Sequence, residues 1–476
     1  MYKRDLCDEL LRIKDFFPVV VVTGPRQSGK TTLCKMAFPD YGYVNLEDEI
    51  VRGELSLLRK EFFMTKGNLI IDEAQNMPDI FSIIQVLVDE DPKSHYIITG
   101  SNNFSLMQNI TQSMAGRAAL LTLLPLSLSE LNDKDKSASV DEIMLRGFYP
   151  AVLAKQIPAQ DAYRQYYNTY LQRDIMQVMN IKNMDEFRRF VVLCASRVGT
   201  EFNAQGLSNE IGVSIPTVQS WINVLEASYI AFHIPPFYRN IGKRLIKKPK
   251  LYFFDSGLIC YLLGIRTVEQ LSTHPLRGQI FENMVVSDML KTIYNKGQDN
   301  NLYFFRDKSQ HEVDIVQQEA QHLKAYEIKS AQIIHTDFYK NLDYFRKILG
   351  EDVISTQIIY NGKDELPIAN NGYINYLSQL SQLPLQWLQP PPKSSSLSSR
   401  TAKISPSKKR GTPASSWLKS ISTVSTFTFL ILPGMMPFPT LNCNVLPSLQ
   451  SSLILPFSSR NMSFFAVKTM SALYSP

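Results

Sequence analysis

The sequence predicts an α/β fold in which a parallel sheet occupies about the first 150 residues. Short apolar segments of strand type alternate there with helical patterns, and this alternation is the order in which a parallel sheet is built. The first segment runs directly into a glycine-rich loop that opens a helix, and the third ends in two acidic residues. The predicted strands are Val19–Val22, Tyr43–Asn45, Leu69–Ile71, Tyr96–Thr99 and Ala119–Leu124.

The loop after the first strand is a complete G-x-x-x-x-G-K-[ST] phosphate-binding motif. Gly24 and Gly29 let the backbone curl so that its N–H groups converge on phosphate oxygens, and the helix that begins at Lys30 directs its positive end at them. We expect Lys30 to reach the β- and γ-phosphates and Thr31 to ligate Mg²⁺, so ATP and Mg²⁺ are the predicted cofactors. The residues expected to contact the nucleotide are Gly24, Pro25, Arg26, Gln27, Ser28, Gly29, Lys30, Thr31 and Thr32.

The third strand ends in the acidic pair Asp72 and Glu73. Strands with such an ending are common, but beside a complete phosphate loop this one has the form of a Walker B element. Asp72 is predicted to hold Mg²⁺ through water, and Glu73 is predicted to polarise the water that attacks the γ-phosphate. The adjacent pair favours hydrolysis over transfer of the phosphoryl group to a small metabolite.

The fourth and fifth predicted strands supply further candidates for the same site. Ser101 or Asn102, at the end of the fourth strand, is predicted to sense the γ-phosphate, although a simple strand-to-turn cap is the alternative. Arg117, before the fifth strand, is a candidate for an arginine that stabilises transition-state charge. This arginine would act in cis or from a neighbouring subunit of a homo-oligomer.

A helix-turn-helix pattern follows a helical region at residues 150–200. A short helix is expected to end at Gly212, Ser214 to cap a second helix, and Pro216 to lie in its first turn. The basic segment 239–250 comes next, with six lysines and arginines and no acidic residue. We interpret the region as a winged helix with a basic wing, for which contact with DNA, docking of a protein partner and a purely structural role remain open.

Four charged residues between positions 282 and 329 suggest a second site. Glu282 lies on an otherwise apolar stripe of a helix predicted at 277–296, and a buried acid needs a partner or a metal. Asp314 lies on a predicted strand, and Glu327 and Lys329 lie two apart on the next one, so they share a face. Alternating charge on a half-exposed strand is the simpler alternative for the last two.

Together these four residues resemble the PD-(D/E)xK nuclease constellation, in which carboxylates hold a divalent metal and the lysine orients or activates water. Asp314 and Glu327 are the predicted metal ligands. Domains of this kind can keep the fold and lose cleavage, so nuclease activity remains open.

Six motifs carry a family resemblance: Gly24–Thr31, Ile71–Gln75, Ile98–Ser101, Ala115–Arg117, Pro249–Leu258 and Gly278–Asn283. Together they resemble the prokaryotic AAA+ ATPases of the AAA_14 type that carry a C-terminal DUF4143 region. The resemblance covers roughly residues 1 to 375. It implies an AAA+ fold for the parallel sheet, a winged helix, and a restriction-endonuclease-like α/β domain.

The pattern and the resemblance divide the chain into four parts: an AAA+ ATPase core, a helical and winged-helix region, a nuclease-like domain and a tail. The predicted ranges are 1–150, 151–270, 271–376 and 377–476. The tail is rich in Ser, Pro, Leu and Phe and has no periodic pattern. It is predicted to be disordered. A disordered extension would have this composition, and so would a sequence read in a wrong frame.

The formal charge of +6 does not by itself indicate a nucleic-acid partner. Nine of the 50 basic residues follow Gln389, where no acidic residue occurs, which leaves 41 basic against 44 acidic residues in the body of the chain. The five widely spaced cysteines predict reduced thiols. The absence of an apolar signal region and of an apolar stretch of about 18 residues predicts a cytoplasmic protein without a membrane segment.

Overall fold

Five parallel strands form the first sheet of the computed structural model, which describes residues 2–91, 93–101, 114–174, 184–238, 248–362, 367–368 and 371–375. The strands are β1 (Val19–Thr23), β2 (Gly42–Asn45), β3 (Leu69–Asp72), β4 (Tyr96–Gly100) and β5 (Ala118–Thr122). Their order in the sheet is β2-β3-β4-β1-β5, and every neighbouring pair is parallel. The predicted parallel sheet is therefore confirmed.

Helices cover both faces of this sheet, which explains why all four valines of β1 are buried. These helices are α1 (Leu6–Ile13), α2 (Lys30–Ala37), α3 (Glu49–Lys66) and α4 (Ile80–Glu90). Val19 and Val21 of β1 pack in one core with Ile84 of α4. Val20 and Val22 point to the other face and pack in a second core with residues of α1 and α2. The burial of β1 between two cores fixes the position of the loop that follows it.

The middle of the chain is helical and closes with two antiparallel strands. Its elements are α5 (Asp133–Lys136), α6 (Val140–Arg146), α7 (Pro150–Ala154), α8 (Ala159–Tyr166) continued by a π-helical segment (Tyr167–Asp174), α9 (Met184–Ser196), α10 (Ala204–Ile211), α11 (Ile215–Ala227), β6 (Ala231–Ile234) and β7 (Lys250–Phe253). Gly212 follows α10 with a φ of +86°, and Ser214 Oγ accepts a hydrogen bond from Thr217 N (3.2 Å) at the start of α11. The predicted helix end and cap are thus confirmed.

Most of the predicted basic wing, residues 239–247, lies outside the described residues. The winged-helix interpretation therefore stays a prediction. Within α11 the exposed polar side chains are the uncharged Gln219 and Asn223, and Gln219 Nε2 donates a hydrogen bond to Asn223 Oδ1 (3.1 Å).

A long helix and a mixed six-stranded sheet make up the last described part. The elements are α12 (Ser256–Leu262), α13 (Val268–Ser272), α14 (Arg277–Asn295), β8 (Leu302–Arg306), β9 (Glu312–Glu319), β10 (His322–Lys329), α15 (Lys340–Leu349), β11 (Val353–Tyr360), β12 (Pro367–Ile368) and β13 (Asn371–Asn375). The strand order is β12-β13-β11-β10-β9-β8, with β10, β11 and β13 parallel to one another. This mixed α/β arrangement places the end of β10 beside the start of α14.

One hydrophobic core joins the middle and C-terminal parts, since a single cluster runs from Leu124 to Ile359 and includes Tyr163 and Phe281. All described residues lie in one compact unit, residues 1–396. The predicted tail, 377–476, lies outside the described residues. No helix in the described part of the chain is long and apolar enough to cross a membrane.

Candidate functional site

The phosphate loop lies at the carboxyl end of β1, where two glycines permit its shape. Gly24 has a φ of +143°, and a Cβ there would lie 2.1 Å from the carbonyl oxygen of Leu123, while Gly29 has a φ of +94°. The buried Lys30 Nζ donates to the carbonyl oxygens of Gly24 (3.0 Å) and Pro25 (2.9 Å). Burial lowers the pKa of Lys30 to about 8. The loop is thus closed around a buried amine at the start of α2.

The side chains of the loop differ in what they contact. Ser28 Oγ is buried and has no hydrogen-bond partner among the described residues. The guanidinium of Arg26 lies 5.8 Å from the ring centroid of Tyr170. Gln27 has a φ of +65° and is exposed, and Thr32 is exposed on α2. A partnerless buried hydroxyl beside a helix N-terminus fits a phosphate group.

Asp72 lies at the carboxyl end of β3 and faces the loop. Its Oδ2 accepts hydrogen bonds from Thr31 Oγ1 (2.7 Å) and Tyr43 OH (2.8 Å), and its Oδ1 accepts one from Thr99 Oγ1. A hydroxyl and a carboxylate side by side are hard oxygen donors of the kind that Mg²⁺ prefers. Thr31 and Asp72, predicted from the sequence as metal ligands, are therefore in direct contact and fit this ion.

Glu73 stands next to the polar end of β4. Its backbone has a φ of +54°, and its Oε2 accepts hydrogen bonds from Ser101 Oγ (3.1 Å) and Gln75 Nε2. Ser101, one of the two sensor candidates, is therefore held against the carboxylate, while Asn102 lies outside the described residues. Gln75 was missed in the sequence, although its position two residues after Glu73 was visible there.

Arg117 lies at the wrong edge of the sheet to act on the phosphate loop of its own chain. It comes just before β5, and its carbonyl oxygen accepts from Val19 N at the start of β1. A strand of five residues separates it from the loop edge by about 16 Å. Its guanidinium instead forms a two-pronged ion pair with Asp89 (2.6 and 2.9 Å). The prediction of an arginine acting in cis is therefore wrong, and a role in a neighbouring subunit stays a prediction.

The four charged residues predicted as a second site lie close to one another. Lys329 Nζ is 2.7 Å from Glu327 Oε1 and 3.4 Å from Asp314 Oδ2, and Asp314 Oδ2 also accepts from Ile328 N (2.7 Å). Burial raises the pKa of the Glu327 carboxyl well above its usual range, and its Oε2 has no hydrogen-bond partner among the described residues. Glu282, across from these strands on α14, also has a pKa raised by burial.

Two residues of β7 belong to the same cluster and were missed in the sequence. Tyr252 OH donates to Glu282 Oε1 (2.7 Å), and Lys250 Nζ lies 3.4 Å from Glu282 Oε1 and 2.5 Å from Glu312 Oε1. Lys250 is buried at 3% exposure, so its assignment to the basic wing is wrong. Lys250 and Tyr252 lie two apart on one strand, as Glu327 and Lys329 do. This spacing, which puts both side chains on one face, was visible in the sequence.

Two carboxylates of this cluster could ligate one hard divalent cation. Asp314 and Glu327 are the carboxylates concerned, and the partnerless Oε2 of Glu327 is the oxygen that a cation would satisfy. Across the described ranges no group of three or more His, Cys, Asp or Glu side chains is arranged to hold a metal ion. Two carboxylates are enough for Mg²⁺ only when waters or substrate phosphates supply the remaining ligands.

Helix α14 also contacts the segment that follows β5, through polar side chains that are buried. Asp288 Oδ1 accepts from Leu128 N (2.6 Å), and Lys291 Nζ donates to the carbonyl oxygen of Leu126 (3.1 Å). One turn further, Asn295 Nδ2 donates to Glu130 Oε1 (3.4 Å). The sequence shows these polar residues within an apolar helix, but it does not show which segment they meet.

Asp288 gives a test of this contact through pH. Burial raises the pKa of its carboxyl to about 6, whereas an aspartate in the unfolded chain titrates near about 3.9. Between these values the folded state holds a proton that the unfolded state releases, so the free energy of unfolding falls as the pH rises from about 4 to about 6. We expect Asp288→Asn to remove this loss, which amounts to roughly 3 kcal/mol.

Denaturant unfolding of wild type and Asp288→Asn at several pH values measures the effect. The variant should gain stability relative to wild type as the pH rises through that window. Asp299→Asn, at an exposed position just beyond α14, is the matched control. A difference between Asp288→Asn and wild type that stays constant with pH would contradict the predicted titration.

Comparison with known proteins shows three consecutive family matches. Residues 17–132 match an AAA domain, residues 137–269 a domain of unknown function (DUF8612), and residues 277–381 a domain of unknown function (DUF4143). Over 333 residues the chain is 29% identical to the uncharacterized proteins Rv2008c of Mycobacterium tuberculosis and Mb2031c of Mycobacterium bovis, covering 69% of this chain and 74% of each relative.

Two solved structures show weak similarity. The Walker-type ATPase PABY2304 of Pyrococcus abyssi is 11% identical, with a TM-score of 0.39 over 54% of this chain and 94% of that chain. The ORC1 protein of Aeropyrum pernix, in complex with DNA, is 12% identical, with a TM-score of 0.25 over 52% of this chain and 88% of that chain. Scores of this size do not define a common fold.

A phosphate loop at the carboxyl end of β1, with an Asp-Glu pair two strands away at the same edge of a parallel sheet, defines the P-loop class of nucleotide-binding proteins. The matched AAA and DUF4143 domains narrow this class further. The chain thus carries an AAA domain of the P-loop ATPases, followed by a C-terminal DUF4143 region.

Proposed function

We propose that this chain binds ATP with Mg²⁺ at its phosphate loop and hydrolyses it. The observation that carries the proposal is the meeting of Lys30, Thr31, Asp72 and Glu73 at one edge of the parallel sheet, where both carboxylates act on the pKa of Lys30. Release of inorganic phosphate from ATP by the purified protein tests it. Release that requires Mg²⁺ and stops in EDTA is expected, and no release at saturating ATP would overturn the proposal.

Each residue has a distinct part in this reaction. Lys30 would exchange the carbonyl oxygens of Gly24 and Pro25 for phosphate oxygens, which are better acceptors for a cation. Thr31, and Asp72 through water, would hold Mg²⁺, which neutralises phosphate charge when bound. Glu73 would orient and polarise the attacking water, with Ser101 fixing the position of its carboxylate.

We further propose that the nucleotide state reaches the C-terminal region through α14. The segment from Leu123 to Glu130 supports this route because its two ends meet different partners. Leu123 adjoins Gly24 of the phosphate loop, and Leu126, Leu128 and Glu130 bind α14. Helix α14 carries both sets of contacts, since Asp288 and Glu282 lie six residues, or about 9 Å, apart along it.

For the C-terminal region we propose a nuclease-like site that acts on nucleic acid. Asp314 and Glu327 would hold a divalent cation against a scissile phosphate, and Lys329 would orient the attacking water. The close approach of Lys329 to both carboxylates supports this assignment. The basic segment ahead of β7 would supply contacts to the phosphate backbone, without the contribution of Lys250.

The nuclease proposal predicts that Asp314→Asn abolishes cleavage of labelled DNA in the presence of Mg²⁺ or Mn²⁺ and ATP. The asparagine retains an acceptor for Ile328 N, so the fold should persist while the metal ligand loses its charge. We expect a loss of at least about a hundredfold in cleavage rate, with ATP hydrolysis retained. Asp299→Asn is the control, and cleavage by Asp314→Asn at the wild-type rate would contradict the assignment.

A second candidate is a nucleotide-dependent switch that binds a protein partner and has an inactive nuclease-like domain. Its specific support is the buried Lys250, which already compensates the charge of Glu282 and Glu312. The exposed side chains of α11, Gln219 and Asn223, carry no charge, so they add no electrostatic attraction to a phosphate backbone. The absence of DNA binding and cleavage in every nucleotide state would select this candidate over the first.

A further inference from the structure

A buried arginine near the start of the chain contacts the backbone of the phosphate loop. Arg4 lies before α1, and its side chain is only 7% exposed. Its guanidinium donates three hydrogen bonds: Nη1 to the carbonyl oxygen of Ser28 (2.6 Å), Nη2 to the carbonyl oxygen of Leu124 (2.7 Å), and Nε to Glu130 Oε1 (3.0 Å). One side chain thus joins the loop, the segment after β5 and a carboxylate.

The contact with Ser28 fixes the orientation of a peptide group that matters for phosphate binding. A trans peptide is planar, so its N–H points away from its carbonyl oxygen. With the Ser28 oxygen held by Arg4, the N–H of Gly29 points away from Arg4. Gly29 has a φ of +94°, and a Cβ there would lie 3.6 Å from Arg4 Nη1. Arg4 therefore sets the orientation of the Ser28–Gly29 peptide.

Glu130 holds Arg4 in this position. Its side chain is fully buried, and its Oε1 also accepts from Asp5 N (2.8 Å) and Asn295 Nδ2 (3.4 Å), while Oε2 accepts from Ser127 N (2.8 Å). A carboxylate with this many donors has one orientation. Because Asn295 belongs to α14, Glu130 connects this helix to Arg4, and through Arg4 to the phosphate loop.

We propose that Arg4 is a positioning residue for the phosphate loop, with Glu130 and Asn295 linking it to α14. Arg4 does not touch the nucleotide; it orients the Ser28–Gly29 peptide that does. Lysine cannot replace it, because a single ammonium group lacks the planar fork that reaches two carbonyl oxygens and a carboxylate together. This inference rests on the proposed ATP-binding function.

The test separates positioning from stability by removing both charges of the buried pair. Arg4→Gln alone would leave Glu130 buried and unpaired, which destabilises the fold whatever the role of Arg4. Arg4→Gln with Glu130→Gln has no unpaired charge, and its melting temperature shows whether it folds. Arg4→Lys, which keeps the charge partner of Glu130, is the second variant. Arg12→Gln, at an exposed position on α1, is the control.

Nucleotide affinity and steady-state hydrolysis are measured for each full-length variant with a fluorescent ATP analogue and ATP. We expect the double variant and Arg4→Lys to bind the analogue about tenfold more weakly and to show a raised KM with kcat within about twofold of wild type. A purely structural role would lower the melting temperature and the active fraction without moving KM. Wild-type affinity in folded Arg4→Lys or in the folded double variant would overturn the inference.

The two levels of proposal fail differently. If wild type and Arg12→Gln bind and hydrolyse ATP while the Arg4 variants match them, the inference fails and the proposed function stands. If wild type neither binds nor hydrolyses ATP, the proposed function fails, and the inference fails with it.

Discussion

Replacing Lys30 with alanine is expected to abolish measurable ATP binding, the largest effect of any single substitution in this chain. The amine is buried at the start of α2, and burial already lowers its pKa to about 8, so in the free protein it is poorly solvated. Contact with phosphate oxygens would give it strong acceptors, and charge-assisted hydrogen bonds of this kind contribute about 1.5–3 kcal/mol each. With two phosphates contacted, we expect a loss of at least about a hundredfold in affinity.

Titration with a fluorescent ATP analogue measures this loss. Lys93→Ala is the matched control, because Lys93 is exposed and lies just before β4, at the opposite edge of the sheet. Melting curves show whether the Lys30 variant is folded, which matters because Lys30 also donates to Gly24 and Pro25. A folded Lys30→Ala protein that binds the analogue as wild type does would show that the phosphate loop does not bind the nucleotide.

The second large effect is expected from Glu73→Gln, which should bind ATP normally and fail to hydrolyse it. Glutamine has nearly the same shape and can still accept a hydrogen bond from Ser101, so the geometry at the end of β3 should persist. It lacks the negative charge that polarises water. Loss of a general base of this kind lowers kcat by about 10²–10⁴-fold.

Phosphate release and analogue binding are measured on the same preparation. Glu54→Gln, on the exposed face of α3, controls for the change from carboxylate to amide. We expect the Glu73 variant to keep its affinity within about threefold of wild type, because the carboxylate is not a predicted ligand of the phosphates. Turnover at the wild-type rate would assign the water-activating role to another residue.

The phosphate loop and the Asp-Glu pair were predictable because each is written in consecutive residues beside a strand. The parallel sheet then brings strand ends to one edge, so Lys30, Asp72 and Glu73 follow from the pattern alone. The error with Arg117 had a visible cause. This residue precedes its strand, and in a parallel sheet that position is the edge away from the loop.

Other contacts could not be predicted because they join segments far apart in the sequence. Arg4 meets Glu130 across 126 positions, and Lys250 meets Glu282 across 32. Net charge gave no guidance for Lys250, since a lysine in a basic run looks the same whether it faces solvent or a buried carboxylate. The packing of α14 against β7 brings Lys250 to the buried carboxylate of Glu282, and the sequence does not show this packing.

The most direct measurement is a structure of the protein with a non-hydrolysable ATP analogue and Mg²⁺. We expect the β- and γ-phosphates to lie at the N-terminus of α2 in contact with Lys30. We also expect Mg²⁺ on Thr31, and Glu73 on the side of the γ-phosphate from which water attacks. A nucleotide bound elsewhere, or phosphates that leave Lys30 on the carbonyl oxygens of Gly24 and Pro25, would contradict this expectation.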